Sequence, residues 1–282
     1  MSPTPATARG PRRTARRTGL RLAFATAGLA LLTSGCDGRK LYEESFSFGL
    51  PDPVTDQGQR VYDLWLGTVV AGAVVALLVW GLIFIAVVAY RKRSDELPRQ
   101  VRYNLPVEVL YTVVPFIVIA VLFFYTARDE TYLDKTTAKP DVTVGVIGFQ
   151  WNWTFAYEGV TGADGSQLQV TGVPGQPAEL LLPTNRTIRF VETSNDVIHS
   201  FWVPQFLFKR DVVPGRTNQF EVTIRKEGRY IGRCAELCGE KHSRMNFYVK
   251  VVSPEKYDAF IASQKSGSTT PAPAAQPVGS SS

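Results

Sequence analysis

The 282-residue chain has few of the residue types that bind soft metal ions. It contains two histidines, three cysteines and, apart from the initiator, one methionine. Three cysteines are too few for a scaffold of several disulfides or for a zinc ribbon built on four cysteines. No C-x-x-C-H motif occurs, which excludes a covalently attached c-type haem. All of these scarce residues except Cys36 and the initiator lie between His199 and Met245, so any metal chemistry is expected there.

Outside the first 21 residues, the chain also has no excess of positive charge. The formal net charge is +6, but six of the 31 basic residues are arginines that precede residue 22. The remaining 25 basic residues balance the 25 acidic ones. The sequence contains no DNA- or RNA-binding motif, so a nucleic-acid partner is not expected.

Residues 1–35 are predicted to be a cleaved signal peptide. Their arginine-rich start is followed by the uncharged stretch 22–35, which is too short to span a bilayer. The ending Leu32-Thr33-Ser34-Gly35-Cys36 resembles a bacterial lipoprotein cleavage box and predicts that Cys36 is lipidated. The box prefers an aliphatic residue where Thr33 stands, and the alternatives are an ordinary signal peptide cleaved near Gly35 or a twin-arginine export signal.

Two later apolar stretches are long enough to cross a membrane. Residues 69–89 and 109–127 carry no charge, and about 20 apolar residues span a hydrocarbon core. We therefore predict transmembrane helices at 61–90 and 106–128. Pro115 lies in the second, where neighbouring helices can satisfy the freed carbonyl.

The loop 91–105 contains five basic residues and two acidic ones. Positively charged loops stay in the cytoplasm. This orientation places the N-terminal segment 36–60, the domain that follows the second helix and both termini outside a bacterial cell membrane.

The segment 129–264 is predicted to be an extracytoplasmic all-β head. Short runs rich in valine, isoleucine and aromatic residues, beginning with Asp141–Tyr157, are separated by turn signals such as Pro174-Gly175. Many short strands at this spacing favour a sandwich or a barrel. Ser253–Gln264 is predicted to be a closing helix, and residues 265–282 a disordered tail.

The metal-binding residue types are concentrated in the loop Cys234-x-Glu236-x-Cys238-x-x-x-His242-x-x-Met245, and His199 lies 35 residues upstream of Cys234. Thiolates, imidazoles and a thioether form a soft donor set that favours copper over magnesium or calcium. A mononuclear blue copper site needs only one cysteine, so the second one favours two bridged ions. The simpler alternatives are a disulfide between the cysteines and a histidine that only packs in the core.

This loop resembles the dinuclear copper (CuA) loop of cytochrome c oxidase subunit II, and the resemblance extends over residues 60–262. Gln150-Trp151-Asn152-Trp153 is similar to the family's Q-W-x-W, and the alternation predicts that both tryptophans lie on one face of a strand. Asn195–Pro204 is similar to D-V-x-H-S-x-x-V-P, Val213–Gln219 to P-G-R-x-N-Q, and Glu108–Pro115 to E-x-x-x-T-x-x-P. The resemblance implies a two-helix transmembrane hairpin that carries a cupredoxin-like sandwich or barrel.

The resemblance also implies a role for individual residues. Cys234 and Cys238 would bridge the two copper ions. One ion would also bind His199 and Met245, and the other would bind His242 and the backbone carbonyl of Glu236. The Glu236 side chain would bind a magnesium or manganese ion shared with subunit I. Trp151 would admit electrons, and Glu108 would stand at the mouth of a proton channel in subunit I.

The function implied by the resemblance is that of subunit II in a proton-translocating cytochrome c oxidase. Electrons from cytochrome c would pass through the copper centre to haem a of subunit I, where oxygen is reduced. The implied partners are subunits I and III, a copper chaperone for assembly, and cytochrome c, either free or in a supercomplex with the cytochrome bc complex.

Three alternatives are weaker. A quinol oxidase subunit would lack the copper ligands, and nitrous oxide reductase would need a second, histidine-rich copper domain. A membrane-anchored copper chaperone or sensor would leave Glu108 and residues 140–160 unexplained.

Overall fold

The computed structural model describes residues 47–97 and 100–267. The predicted signal peptide, the predicted lipidation site Cys36 and most of the predicted tail lie outside the described residues. All the helices and strands of the described residues belong to the unit that begins at Leu50.

Two long apolar helices come first, α1 (Asp56–Ala89) and α2 (Leu105–Leu133). Both are long and apolar enough to cross a membrane, and their most apolar windows are not buried by the rest of the chain. The Thr55 side chain caps α1 by accepting the Gly58 N–H at 2.9 Å. Pro115 lies inside α2, and the helix continues on both sides of it.

The head consists of ten strands in two five-stranded sheets and a closing helix. The first sheet has the order β3-β2-β1-β5-β8, and the second has the order β4-β10-β9-β6-β7. The bounds are β1 Val142–Phe149, β2 Asn152–Thr161, β3 Gln167–Thr171, β4 Glu179–Pro183, β5 Thr187–Ser194, β6 His199–Val203, β7 Phe208–Val212, β8 Asn218–Thr223, β9 Gly228–Cys234, β10 Asn246–Val252 and α3 Pro254–Ser266.

The core of the head lies between the two sheets. Buried and partly buried residues alternate strictly along β1, as expected for a strand with one face in a sandwich core. The rings of Trp153, Phe155, Phe201 and Phe247 pack edge-to-face or stacked at centroid distances from 4.7 to 6.3 Å. The two-helix hairpin with an all-β, two-sheet head confirms the predicted fold class.

One detail of the strand prediction is wrong. The run Asp141–Tyr157 is a hairpin, in which β1 pairs with β2 antiparallel and the chain reverses at residues 150 and 151. Trp151 therefore lies in the turn, whereas Trp153 lies in β2 with no exposed surface. The two tryptophans do not share the face of one strand.

Both membrane helices are fastened to the head. At the start of α1, Val54 N–H donates to Gln205 O at 3.1 Å, and Asp56 accepts two hydrogen bonds from Arg225 at 2.8 and 2.5 Å. At the end of α2, Asp134 accepts a hydrogen bond from Arg210 of β7 at 2.6 Å. These contacts fix where the head stands on the hairpin.

Candidate metal centre

Five side chains with soft or imidazole donors meet at one end of the head. His199 begins β6 and Cys234 ends β9, and these strands are neighbours because Phe201 pairs with Cys234. The loop from β9 to β10 supplies the rest: Cys238, His242 and Met245. Sheet pairing thus brings His199 to a loop that begins 35 residues later.

Neighbouring donor atoms in the cluster lie less than 4 Å apart. Cys234 Sγ lies 3.7 Å from Cys238 Sγ, 3.9 Å from His199 Nδ1 and 3.2 Å from the Glu236 carbonyl oxygen. Cys238 Sγ lies 3.5 Å from His242 Nδ1 and 3.7 Å from Met245 Sδ. All six ligands implied by the sequence therefore lie in one contiguous cluster.

This donor geometry fits metal ions rather than a disulfide. Both cysteines are free and buried, and their separation far exceeds the S–S bond of about 2.05 Å. Two thiolates bound to one ion at about 2.3 Å with tetrahedral angles would stand about 3.8 Å apart, close to the separation here. His199, Cys234 and Cys238 place their ligand atoms within 4.8 Å of one another.

The two thiols differ in acidity. Burial would raise the pKa of Cys234, but hydrogen bonding to His199 and to backbone groups outweighs it and lowers that pKa to about 7. Burial raises the pKa of Cys238, and the negative charge on Cys234 raises it further. One thiolate therefore forms readily near neutral pH, while the second needs a nearby cation to lose its proton.

Asp196 orients His199. Burial would raise the pKa of Asp196, but hydrogen bonds from His199, Val197 and Gln150 lower it. Its Oδ1 lies 2.8 Å from His199 Nε2, which leaves Nδ1 directed at Cys234. Carboxylates commonly hold metal-binding histidines in this way. The sequence analysis did not identify this role, although Asp196 begins the D-V-x-H motif.

Gly148 of β1 leaves room for the imidazole. A Cβ at this position would lie 3.0 Å from Cδ2 of His199, so any larger residue would push against the ring. Gly148 of the first sheet thus leaves space for the ring of His199, which belongs to the second sheet.

The turn between β1 and β2 supports the metal-binding loop. Gln150 Nε2 donates to the Cys238 carbonyl at 2.9 Å, and Trp151 Nε1 donates to the same oxygen at 3.1 Å. Trp153 Nε1 donates to the Met245 carbonyl at 3.4 Å. The Q-W-x-W motif therefore has a structural reason, because three of its side chains hold backbone carbonyls of ligand residues. Gln150 is a further supporting residue that the sequence analysis missed.

The side chains of two other predicted residues, Glu236 and Glu108, lie outside the cluster of donor atoms. The Glu236 side chain is exposed next to the cluster, and neighbouring Leu237 is 78% exposed. Glu108 does not belong to the cluster, because it lies in the first turn of α2, where its carboxylate accepts the Asn104 N–H at 2.9 Å. This contact is a helix cap, and it leaves Glu108 at the helix end remote from the head.

Comparisons with known proteins agree with this arrangement. Residues 142–252 match the family model described as cytochrome C oxidase subunit II, periplasmic domain, and residues 44–128 match the corresponding transmembrane domain. A protein from Streptomyces coelicolor named probable cytochrome c oxidase subunit 2 is 45% identical, over 94% of this chain and 93% of that protein. The chain belongs to the cytochrome c oxidase subunit II family.

Two further subunit II proteins are similar to this chain. A cytochrome c oxidase subunit 2 from Mycobacterium tuberculosis H37Rv is 34% identical over 92% of this chain and 85% of that protein. The crystal structure of the periplasmic domain of a cytochrome oxidase subunit II from Bradyrhizobium japonicum is 29% identical, with a TM-score of 0.41; the match covers 48% of this chain and all of that one.

The family membership confirms the predicted resemblance, and it identifies the chain as a membrane protein related to components of haem–copper oxidases. The periplasmic-domain model of subunit II covers Trp151 and all six implied copper ligands. The transmembrane-domain model covers Glu108.

Proposed function

We propose that this chain accepts electrons from cytochrome c at a dinuclear copper centre and relays them to haem a of subunit I, in an oxidase that couples oxygen reduction to proton pumping. The observation that carries the proposal is the pair of buried, free thiols 3.7 Å apart, each beside its own histidine. Two copper ions, when bound, supply one-electron redox chemistry.

The donor set supports two ions rather than one. Cys234 and Cys238 each contact a different imidazole nitrogen. Each thiol also has one further donor beside it: the Glu236 carbonyl beside Cys234, and Met245 Sδ beside Cys238. Bridging thiolates would leave each ion with one histidine and one weaker ligand. A shared cationic centre would hold both thiols as thiolates.

The protein around the cluster keeps the ligands in place. The Asp196 carboxylate contacts His199, and the side chains of Gln150 and Trp151 both donate to the Cys238 carbonyl. Met245 and Cys234 are buried in the sandwich core. A site held rigid in this way needs little rearrangement when its charge changes, which favours fast electron exchange.

Trp151 is the proposed point of electron entry. Its indole is partly buried in the turn beside the metal-binding loop, and its N–H group donates to the carbonyl of Cys238. This hydrogen bond joins an aromatic ring near the surface directly to the backbone of a bridging ligand. Lys241 Nζ lies 5.5 Å from the ring centroid and adds a cation at the proposed docking point.

The remaining assignments concern subunit I. The exposed Glu236 side chain is proposed to bind a magnesium or manganese ion at the contact with subunit I, because carboxylates suit such hard ions. Glu108, at the other end of α2, is proposed to stand at the entrance of the proton channel. The other proposed partners are subunit III and a copper chaperone, and cytochrome c either free or held in a supercomplex with the cytochrome bc complex.

Metal analysis of the full-length chain, purified in detergent without the other subunits, tests the copper proposal. We expect two copper ions per chain and an electron paramagnetic resonance signal from one electron shared over both ions. Cys238→Ser should abolish this signal because a bridging thiolate is lost, and Met245→Leu should retain copper because it removes only a weak ligand.

The third cysteine provides the control for these variants. Cys36→Ser changes a cysteine that lies outside the described residues and should leave copper content and spectrum unchanged. One copper per chain with a four-line spectrum would contradict the dinuclear centre.

A further inference from the structure

A cavity lies between α1 and α2 at the end nearest the head. Its volume is about 610 Å³, within the range of roughly 300–1,000 Å³ typical of small-molecule sites. One end is apolar and is bounded by Ala71 of α1 and by Val121 and Leu122 of α2. The other end is charged. Because the uncharged stretches 69–89 and 109–127 both reach into it, the cavity straddles the boundary between hydrocarbon and lipid headgroups.

The apolar end is open because α1 carries small residues there. Gly67 lines the cavity, and a Cβ built on it would meet no atom within 4 Å. Ala71 follows one helical turn later on the same side of the helix. Neither residue has a side chain long enough to reach α2, and water cannot occupy apolar space at this depth without losing its hydrogen bonds.

The charged end contains two arginines that one buried carboxylate holds together. The Asp129 side chain is 4% exposed. It accepts hydrogen bonds from Arg128 Nε at 3.0 Å and Nη2 at 3.2 Å, and from Arg60 Nη1 at 3.5 Å. Tyrosine rings support both guanidinium groups, with Arg60 3.8 Å from the centroid of Tyr132 and Arg128 4.8 Å from that of Tyr125. The three charges sum to +1, which suits a phosphate diester.

A second carboxylate makes the whole site neutral. Asp63 lines the same cavity and accepts one hydrogen bond, from Gln59 Nε2 at 2.9 Å. With Asp63 included, two arginines face two aspartates. An anionic headgroup would gain from the arginines but would be repelled by Asp63, whereas a zwitterionic headgroup with an amine complements both signs of charge.

We propose that this cavity binds one phospholipid of the outer leaflet with a zwitterionic, amine-bearing headgroup. The phosphate contacts Arg60 and Arg128, the amine contacts Asp63, and an acyl chain lies along Gly67 and Ala71. The lipid thereby fills a gap that the two helices leave open beneath the head. This site does not depend on the copper centre, because no residue of the metal cluster lines the cavity.

Photolabelling of the purified, complete oxidase tests the site. The probes are phosphatidylethanolamine and phosphatidylglycerol that carry the same diazirine on the acyl chain, and mass spectrometry locates the label. We expect the ethanolamine lipid to label residues 64–71 and 121–128, about tenfold more than the glycerol lipid, since one charge-assisted hydrogen bond corresponds to about that factor. Asp63→Asn should reduce this preference to about one. Asp95→Asn, in the loop at the other end of α1, should not.

A pair of matched glycine variants tests the apolar end. Gly67→Leu fills the cavity and should abolish the labelling, whereas Gly72→Leu, on the same helix but outside the cavity, should retain it. The Asp63→Asn result does not depend on either glycine variant assembling. Equal labelling by both lipids in the unmodified oxidase would overturn the proposal, as would labelling unaffected by Gly67→Leu, or cross-links from a photoreactive residue at position 67 to subunit I.

Discussion

At the scale of single residues, one hydrogen bond joins the partly buried indole of Trp151 to the backbone carbonyl of Cys238. Trp151→Phe removes both the indole and this bond, so we expect slower reduction of copper by cytochrome c with normal copper content. Stopped-flow kinetics on the purified oxidase would measure the rate. An unchanged rate would contradict the entry role.

Gln150→Leu is the matched control for Trp151→Phe. It removes the other hydrogen bond to the same Cys238 carbonyl but keeps the indole. If the ring carries the electrons, this variant should keep a nearly normal rate. If both variants slow the reaction equally, the role of Trp151 is only to support the loop. Trp153 cannot serve as the control, because it is a core residue.

Glu192 is a buried carboxyl without a described hydrogen-bond partner. Burial raises its pKa to about 9, against the opposing charge of Arg210. The group is therefore protonated in the folded head and ionises when the chain unfolds at neutral pH. A raised folded-state pKa means that the contribution of Glu192 to stability is greatest below pH 4.5 and is lost progressively as the pH rises towards 9.

We therefore expect Glu192→Gln to flatten the pH dependence of stability and to raise the free energy of unfolding by about 1–3 kcal/mol at pH 7. Thermal denaturation between pH 5 and 8 would measure this. The matched control is Glu221→Gln, because Glu221 is also buried but accepts hydrogen bonds from Arg189 and from Thr137. That variant should destabilise the head instead. A lower stability of Glu192→Gln at every pH would refute the assignment.

The sequence predicted the side chains that cluster at the candidate metal centre but not the residues that position them. The spacing of Cys234, Cys238, His242 and Met245 is a local property of one loop, so it can be read directly. Gln150 contacts the loop at Cys238, 88 residues away, and nothing in its own sequence neighbourhood shows that contact. Asp196 lies only three residues before His199, but its role depends on the direction of the His199 ring, which the sequence does not show. The buried state of Glu192 likewise depends on the opposite sheet.

At the scale of elements, apolar length was enough to predict both membrane helices, because the bilayer imposes a minimum length on any span. Strand pairing was not predictable in the same way. The parallel pairs β1–β5 and β4–β10 join segments distant in the sequence, and no turn signal connects them.

The junction between α1 and the head depends on a glycine. A Cβ on Gly58 would lie 2.6 Å from the carbonyl oxygen of Phe206, so Gly58→Ala should force the helix away from the head. We expect a lower melting temperature, with a loss of about 1–3 kcal/mol typical of overpacking, as measured by thermal denaturation in detergent.

The control for Gly58→Ala is Gly72→Ala, whose Cβ would meet no neighbour. This variant should be neutral or slightly stabilising, because alanine is the better helix former. Equal effects of the two substitutions would show that α1 does not rely on this contact.

At the scale of the whole molecule, the basic loop 91–105 predicts the orientation in the membrane. A tag inserted near residue 97 should be accessible only from the cytoplasm, and a tag near residue 270 only from outside. Labelling of intact cells and of inverted vesicles with a membrane-impermeant reagent would measure both. The opposite pattern would contradict the charge argument, and a head on the cytoplasmic side could not receive electrons from an exterior cytochrome c.

The attachments at Asp56 and Asp134 have a further consequence. Because both helices are bonded to the head, the loop with the candidate metal centre is held at a set height and tilt above the bilayer. The rate of electron tunnelling falls steeply with distance, so a head that moved relative to the membrane would transfer electrons at widely different rates. We expect the two ion pairs, Asp56–Arg225 and Asp134–Arg210, to remove that spread, so that under the proposed function each electron would leave for the haem from the same starting point.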